Sequence, residues 1–146
     1  MTVRVADEKD CLSIVELENS CFADAWSEKN VVESISNPNY AYFVLDDNGQ
    51  ILGYFCTLTV ADEMELLRIA VAPSARKNGY GYELMQKVVE TAKEKGVEKI
   101  FLEVRASNTP AINLYSKSGF VEYMCRKKYY QGVEDALLFS FEVGGA

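Results

Sequence analysis

Histidine is absent from this 146-residue sequence, and its four cysteines form no Cys-x-x-Cys pair. The cysteines are Cys11, Cys21, Cys56 and Cys125. Zinc sites in proteins need cysteine and histidine ligands at short spacing, so we expect no metal site. Without histidine, any general acid or base must be a carboxylate, a tyrosine, a cysteine or a lysine.

Long apolar runs are missing as well. No stretch approaches the roughly 18 apolar residues that cross a bilayer, and the opening residues MTVRVADEKD contain no apolar segment of the signal-peptide type. We therefore expect a cytoplasmic protein with no membrane partner. The length is that of one domain, which we place over residues 1–146.

Acidic residues outnumber basic ones: the sequence has 22 Asp and Glu and 15 Lys and Arg, which gives a net charge of −7. Surfaces that bind nucleic acids are basic, so we expect no direct nucleic-acid partner. The negative charge suits a cationic partner such as an amine or a basic polypeptide. More commonly, such a net negative charge reflects only a solvated acidic surface.

What the sequence does contain is a buried strand, residues 66–71, followed by a glycine-bearing loop and a long amphipathic helix. The loop is Arg76-Lys77-Asn78-Gly79-Tyr80-Gly81. The first backbone N–H groups of a helix have no partner inside the helix and attract anions, and two cations stand beside them here. This pattern favours a diphosphate site, and the alternative is an ordinary strand-to-helix turn. The loop lacks the Gly-Lys-Ser/Thr ending of a Walker loop and the third glycine of the dinucleotide fingerprint.

Hydrophobic periodicity predicts a mixed α and β chain. Strands are predicted over residues 2–5, 40–45, 50–60, 64–71, 99–104, 120–130 and 135–143. Helices are predicted to be capped by Asp7, Ser27 and Asn108, with the helix after the glycine loop ending at Gly96. The strand at 99–104 follows a helix that follows a strand, so we expect it to lie parallel to 64–71.

The order of these motifs resembles the GNAT family, the acetyl-CoA-dependent N-acetyltransferases. The motifs are the glycine loop, then Glu103-Val104-Arg105-Ala106-Ser107-Asn108, then Leu114-Tyr115 with Gly119-Phe120. Within the family the chain is similar to the bacterial RimI type, the ribosomal-protein-alanine N-acetyltransferases. That narrower similarity includes Phe22, Trp26-Ser27-Glu28-Lys29, Ile69-Ala70-Val71, and Arg126 with Tyr129-Tyr130.

The resemblance implies an α/β (α+β) fold with a mixed, mostly antiparallel seven-stranded sheet and about four helices. A central pair of parallel strands would splay apart at the cofactor site. The implied reaction transfers an acetyl group from acetyl-CoA to the N-terminal α-amino group of a protein, as in the N-terminal alanine of a small-subunit ribosomal protein. The implied partners are acetyl-CoA and that ribosomal protein.

The resemblance also implies a set of cofactor-binding residues. The backbone of residues 69–71 would pair with the pantetheine arm, the loop would receive the pyrophosphate, and Asn108 would bond the pantetheine. The full set is Ile69, Ala70, Val71, Arg76, Lys77, Asn78, Gly79, Tyr80, Gly81, Tyr82 and Asn108.

For catalysis the resemblance implies Glu103 as general base and Tyr115 as general acid at the leaving sulfur. Glu103 stands in an apolar strand, where we expect desolvation to make its carboxylate a stronger base. The alternatives are that Glu103 pairs with Arg105 or another neighbour, and that Tyr115 only packs on the core.

Three aromatic residues, Trp26, Tyr129 and Tyr130, are expected to line the acceptor groove, although Trp26 could instead be a core side chain. Two other functions stay open from the sequence. One is a GNAT enzyme that acetylates a small amine or a lysine side chain, and the other is a non-catalytic module that binds acetyl-CoA.

Overall fold

The computed structural model describes residues 1–144, which form seven β-strands and four α-helices. The strands are β1 (Thr2–Val5), β2 (Tyr40–Asp47), β3 (Gln50–Val60), β4 (Glu63–Val71), β5 (Lys99–Arg105), β6 (Val121–Tyr130) and β7 (Glu134–Glu142). The helices are α1 (Cys11–Cys21), α2 (Glu28–Ile35), α3 (Tyr80–Lys95) and α4 (Thr109–Lys117). The predicted elements are confirmed, and each strand end lies within two residues of its predicted position.

Helix ends follow the predicted caps. The Asp7 side chain accepts a hydrogen bond from the Lys9 amide and starts a turn of 3-10 helix ahead of α1. Ser27 accepts from the Asn30 amide at the start of α2. Gly96, with φ of +70°, ends α3 in the left-handed conformation that glycine adopts without strain.

All seven strands form one sheet in the order β1-β2-β3-β4-β5-β7-β6. β4 and β5 are parallel and are joined through α3, whereas the other neighbouring strands are antiparallel. This architecture confirms the predicted fold class.

The parallel pair separates soon after it begins. Its register runs only from Glu63 opposite Lys99 to Glu65 opposite Phe101, although β4 continues to Val71 and β5 to Arg105. Beyond Glu65, the edge of β4 that faces β5 therefore has no strand partner within residues 1–144. The predicted splay lies at the centre of the sheet.

Helices cover the sheet from both sides. α3 and α4 pack on one face, where the buried side chains include Phe55, Leu84, Met85, Ile100 and Tyr115. α1 and α2 pack over β2–β4 on the other face, where they include Ile14, Leu17, Val31, Tyr54 and Cys56. Among the described residues, no helix is both long and apolar enough to span a membrane.

Candidate active site

The site is built where β4 and β5 diverge. Ile69 and Val71 are half-buried there and Ala70 is buried, so this segment presents mainly backbone groups along the unpaired edge. The carbonyl oxygen of Val71 accepts hydrogen bonds from Arg76 Nε at 3.2 Å and from Cys21 Sγ at 3.5 Å. A free strand edge can pair with an extended ligand as an added strand would.

The loop that follows β4 leads to the N-terminus of α3. Gly79 occupies the N-cap position with φ of +80°, and no side chain among residues 1–144 caps the helix. A Cβ built on Gly79 would meet no atom within 4 Å, so the space around its backbone is open. Free amides, open space and the exposed cations of Arg76 and Lys77 fit a diphosphate.

Neighbouring loop side chains shape this end of α3. Asn78 Nδ2 donates to the Ala75 carbonyl at 2.9 Å and to the Arg76 carbonyl at 3.2 Å, which holds the loop closed. Tyr80, the first residue of α3, packs on the core. The Tyr82 ring lies 4.9 Å from the ammonium of Lys117, which adds a third cation near the helix start.

Gly81 lies where α3 and α4 pack against each other. A Cβ at this position would lie 3.1 Å from Cδ2 of Leu114, so Gly81 allows α3 and α4 to approach each other. The structure therefore gives Gly81 a role in helix packing. The glycine that faces open space is Gly79.

Tyr115 is 7% exposed and lies in the core on the α3 side of the sheet. Its ring centroid is 6.4 Å from that of Phe120 and 6.3 Å from that of Phe139. Burial, together with the nearby phenol of Tyr130, raises the pKa of Tyr115 to about 12. The hydroxyl therefore stays protonated at neutral pH and can donate a proton.

Glu103 lies on the other side of β5, since its neighbours Leu102 and Val104 point into the α3 core. Its side chain is exposed, so the desolvation expected from its apolar strand is not found. The proposed pairing with Arg105 is not found either. Arg105 instead forms an ion pair with Glu134, at 3.3 Å.

Glu103 also lines an acidic pocket of about 420 Å³. The four carboxylates in its wall are Asp62, Glu63, Glu65 and Glu103. Within residues 1–144, none of them has a lysine or arginine nitrogen within 4.0 Å, although Arg126 also lines the pocket. Partial burial, and then the charge of Glu103, raise the pKa of Glu65. This surface favours a cationic ligand.

The hairpin of β6 and β7 brings Tyr129 and Tyr130 to the same region. The Arg105 guanidinium lies 4.2 Å from the Tyr130 ring centroid, and the two tyrosine rings meet edge to face at 5.2 Å. Burial, and then the charge of Glu103, raise the pKa of Tyr130, whereas the charge of Arg105 lowers it.

Trp26, in the loop between α1 and α2, is half-buried. One side packs on the α1–α2 core, and the residue also lines a second pocket of about 380 Å³ with Leu67 and Tyr40. The loop is held by Glu18 and Arg68, which sequence reasoning missed. The sequence feature that could have indicated this contact is Arg68, the one charged residue in the apolar strand LLRIAV.

Asn108 caps α4, as predicted, because its Oδ1 accepts a hydrogen bond from the Ala111 amide at 3.3 Å. Its amide nitrogen is the part of the side chain that could bond a ligand. The described residues contain no group of three or more Cys, Asp or Glu side chains arranged to hold a metal ion.

The model of the acetyltransferase (GNAT) family matches residues 11–120 of the chain. The chain belongs to the GNAT acetyltransferase family. It is 33% identical, over 97% of both chains, to the [ribosomal protein bS18]-alanine N-acetyltransferase of Escherichia coli strain K12. The predicted resemblance is therefore confirmed, and the protein is an acetyltransferase.

Solved GNAT structures agree with this assignment. The crystal structure of the ribosomal-protein-S18-alanine N-acetyltransferase from Escherichia coli superposes with a TM-score of 0.91 at 33% identity, covering 99% of this chain and 95% of that one. The structure of yncA from Salmonella typhimurium, determined with its cofactor acetyl-CoA, shares the fold at 19% identity, with a TM-score of 0.89 and coverage of 100% and 95%. GNAT acetyltransferases use acetyl-CoA as the acetyl donor.

Proposed function

We propose that this GNAT enzyme acetylates the N-terminal alanine of a ribosomal protein of the bS18 type. The observation that carries the proposal is the similarity, over nearly the whole chain, to the Escherichia coli enzyme named for that substrate. The acidic pocket beside Glu103 gives independent support, because an acceptor with a free α-amine arrives largely as a cation at neutral pH.

Acetyl-CoA, as the donor substrate, supplies an activated acetyl thioester. The free amides at the start of α3, with Arg76 and Lys77, would bind its pyrophosphate, and the unpaired edge of residues 69–71 would bind the pantetheine arm. A backbone N–H of that edge would hold the thioester oxygen as negative charge develops on it. Asn108, at the N-cap of α4, would form a hydrogen bond with the pantetheine arm.

Glu103 would accept the proton that the acceptor ammonium must lose before its nitrogen can attack, directly or through water. The nitrogen then bonds to the acetyl carbon within one ternary complex, the bond from that carbon to sulfur breaks, and the nitrogen loses its second proton to solvent to leave the amide. Tyr115, which stays protonated at physiological pH because its pKa is raised to about 12, would donate its proton to the departing sulfur and regain one from solvent. Trp26, Tyr129 and Tyr130 would contact the acceptor chain.

The test uses two peptides that differ only at the N-terminus. A peptide with a free N-terminal alanine and internal lysines should release CoA thiol rapidly, and the same peptide with a blocked N-terminus should not. Equal rates on the two peptides would replace the proposal with a lysine acetyltransferase. Rapid turnover of spermidine with neither peptide modified would favour a small-amine enzyme, and acetyl-CoA binding without turnover would favour a binding module.

A further inference from the structure

Glu18 is a fully buried carboxylate in α1, and three different elements satisfy it. The Tyr54 hydroxyl of β3 donates to Oε2, and the Trp26 backbone N–H donates to Oε1 at 2.8 Å. Arg68 of β4 lies 3.2 Å from Oε1 and neutralises the charge. A buried carboxylate without such partners is strongly unfavourable, so this arrangement holds the Trp26 backbone against α1.

Arg68 also contacts the α1–α2 loop. Its guanidinium lies 4.2 Å from the Phe22 ring centroid and 4.9 Å from the Trp26 ring centroid, and Nη2 donates to the Asp24 carbonyl at 2.9 Å. The side chain is only 14% exposed. Its buried Nε has no hydrogen-bond partner within residues 1–144, so its contacts with the rings and with Glu18 outweigh an unsatisfied donor.

We propose that Arg68 is a positioning residue that sets the α1–α2 loop, and Trp26 in particular, for binding the acceptor polypeptide. Arg68 directly precedes Ile69, the first residue of the edge assigned to acetyl-CoA. The same strand therefore carries the donor-binding backbone and the side chain that fixes the acceptor-binding loop. The proposal rests on the proposed function, because it assigns the loop to the acceptor.

Trp26 is the only tryptophan in the sequence, so its fluorescence reports on this loop alone when excited at long wavelength. In Arg68→Gln the loop should loosen, and the acrylamide quenching constant of Trp26 should rise about twofold. The KM for the alanine peptide should rise about tenfold, with the KM for acetyl-CoA unchanged. Fluorescence is read without turnover, so it tests the positioning even if the acceptor is misassigned.

Arg4→Gln is the matched control. Arg4 forms ion pairs with Asp10 and Asp46 at the β1 edge of the sheet, each at 2.9 Å, and does not contact the loop. This variant should lose stability while leaving Trp26 quenching and the peptide KM unchanged. A similar rise in peptide KM in both variants would mean that lost stability, and not the loop, is responsible, and would overturn the proposal.

Arg68→Lys keeps the positive charge opposite Glu18 and serves if Arg68→Gln does not fold. An ammonium cannot lie flat against two rings and also reach the Asp24 carbonyl, so Trp26 quenching and peptide KM should still rise. Unchanged Trp26 quenching in a folded variant overturns the positioning role. Raised quenching with an unchanged peptide KM overturns the assignment of the loop to the acceptor.

Discussion

Tyr115 is the candidate general acid, and its buried phenol stays protonated at neutral pH because its pKa is raised to about 12. Replacing it with phenylalanine removes the proton and keeps the packing against Phe120 and Phe139. We expect kcat to fall by roughly 10²- to 10⁴-fold with unchanged affinity for acetyl-CoA, measured by steady-state kinetics and calorimetry. Tyr42→Phe, a buried tyrosine outside the site, is the control and should keep its kcat. Near-normal turnover in Tyr115→Phe would show that the sulfur leaves without this proton.

Glu103 is exposed. We therefore expect the protonation of the acceptor amine to account for much of the pH dependence of proton transfer to Glu103. An α-amine has a pKa of about 7.7–8.0, and below that range most acceptor molecules carry the proton that a base must remove. Glu103→Gln should therefore depress kcat/KM most at neutral pH, and the loss should shrink as pH rises and free amine accumulates. A pH–rate profile from about pH 6.5 to 9.5 measures this, with wild type in parallel. An equal loss at every pH would make Glu103 a structural residue.

The N-terminus of helix α3 is the candidate pyrophosphate site. A substitution at Gly79 tests this site without disturbing the packing of the core. A side chain at Gly79 would touch no atom of the protein within 4 Å but would stand where an anion approaches the amides. Acetyl-CoA should raise the Tm of wild type and should raise that of Gly79→Val far less.

Gly49→Val is the matched variant for this measurement. Gly49 has φ of +93° and likewise no atom within 4 Å of a built Cβ, but it lies in the β2–β3 turn. Both valines strain a left-handed backbone and should lower the Tm without ligand by a comparable amount. If both variants keep the full acetyl-CoA shift, the pyrophosphate lies elsewhere. Gly81→Val is unsuitable, because it would press on Leu114 and loosen α3 against α4.

The elements themselves could be predicted because their signals are local. The side chains of Asp7, Ser27 and Asn108 accept hydrogen bonds from backbone amides two or three residues further along the chain. These helix caps are present in the structure as expected. The contacts missed are those between distant residues: Arg68 reaches the Asp24 carbonyl across 44 positions of sequence. The exposure of Glu103 was missed for a related reason. Alternation shows that β5 has two faces, but tertiary packing decides which face a helix covers.

At the scale of the whole molecule, buried phenols make the fold sensitive to alkali. Burial raises the pKa values of Tyr42, Tyr54 and Tyr115, whereas a tyrosine in the unfolded chain titrates near pH 10. Below pH 10 both states keep these protons, and stability does not depend on them. Above pH 10 the unfolded chain loses them first, so each such tyrosine lowers the free energy of unfolding by about 1.4 kcal/mol per pH unit until it ionises in the folded state.

For Tyr115 that window runs from about pH 10 to about pH 12, and the stability at stake is on the order of 2–3 kcal/mol. Urea unfolding of wild type at steps from pH 9 to 12 should show stability falling steeply above pH 10. Tyr115→Phe has no proton to lose at this position, so its curve should fall less steeply between about pH 10 and pH 12. Parallel curves would mean that the phenol reaches solvent in the folded protein. The pKa of Tyr115 would then be the same in the folded and the unfolded chain, which contradicts its burial in the core.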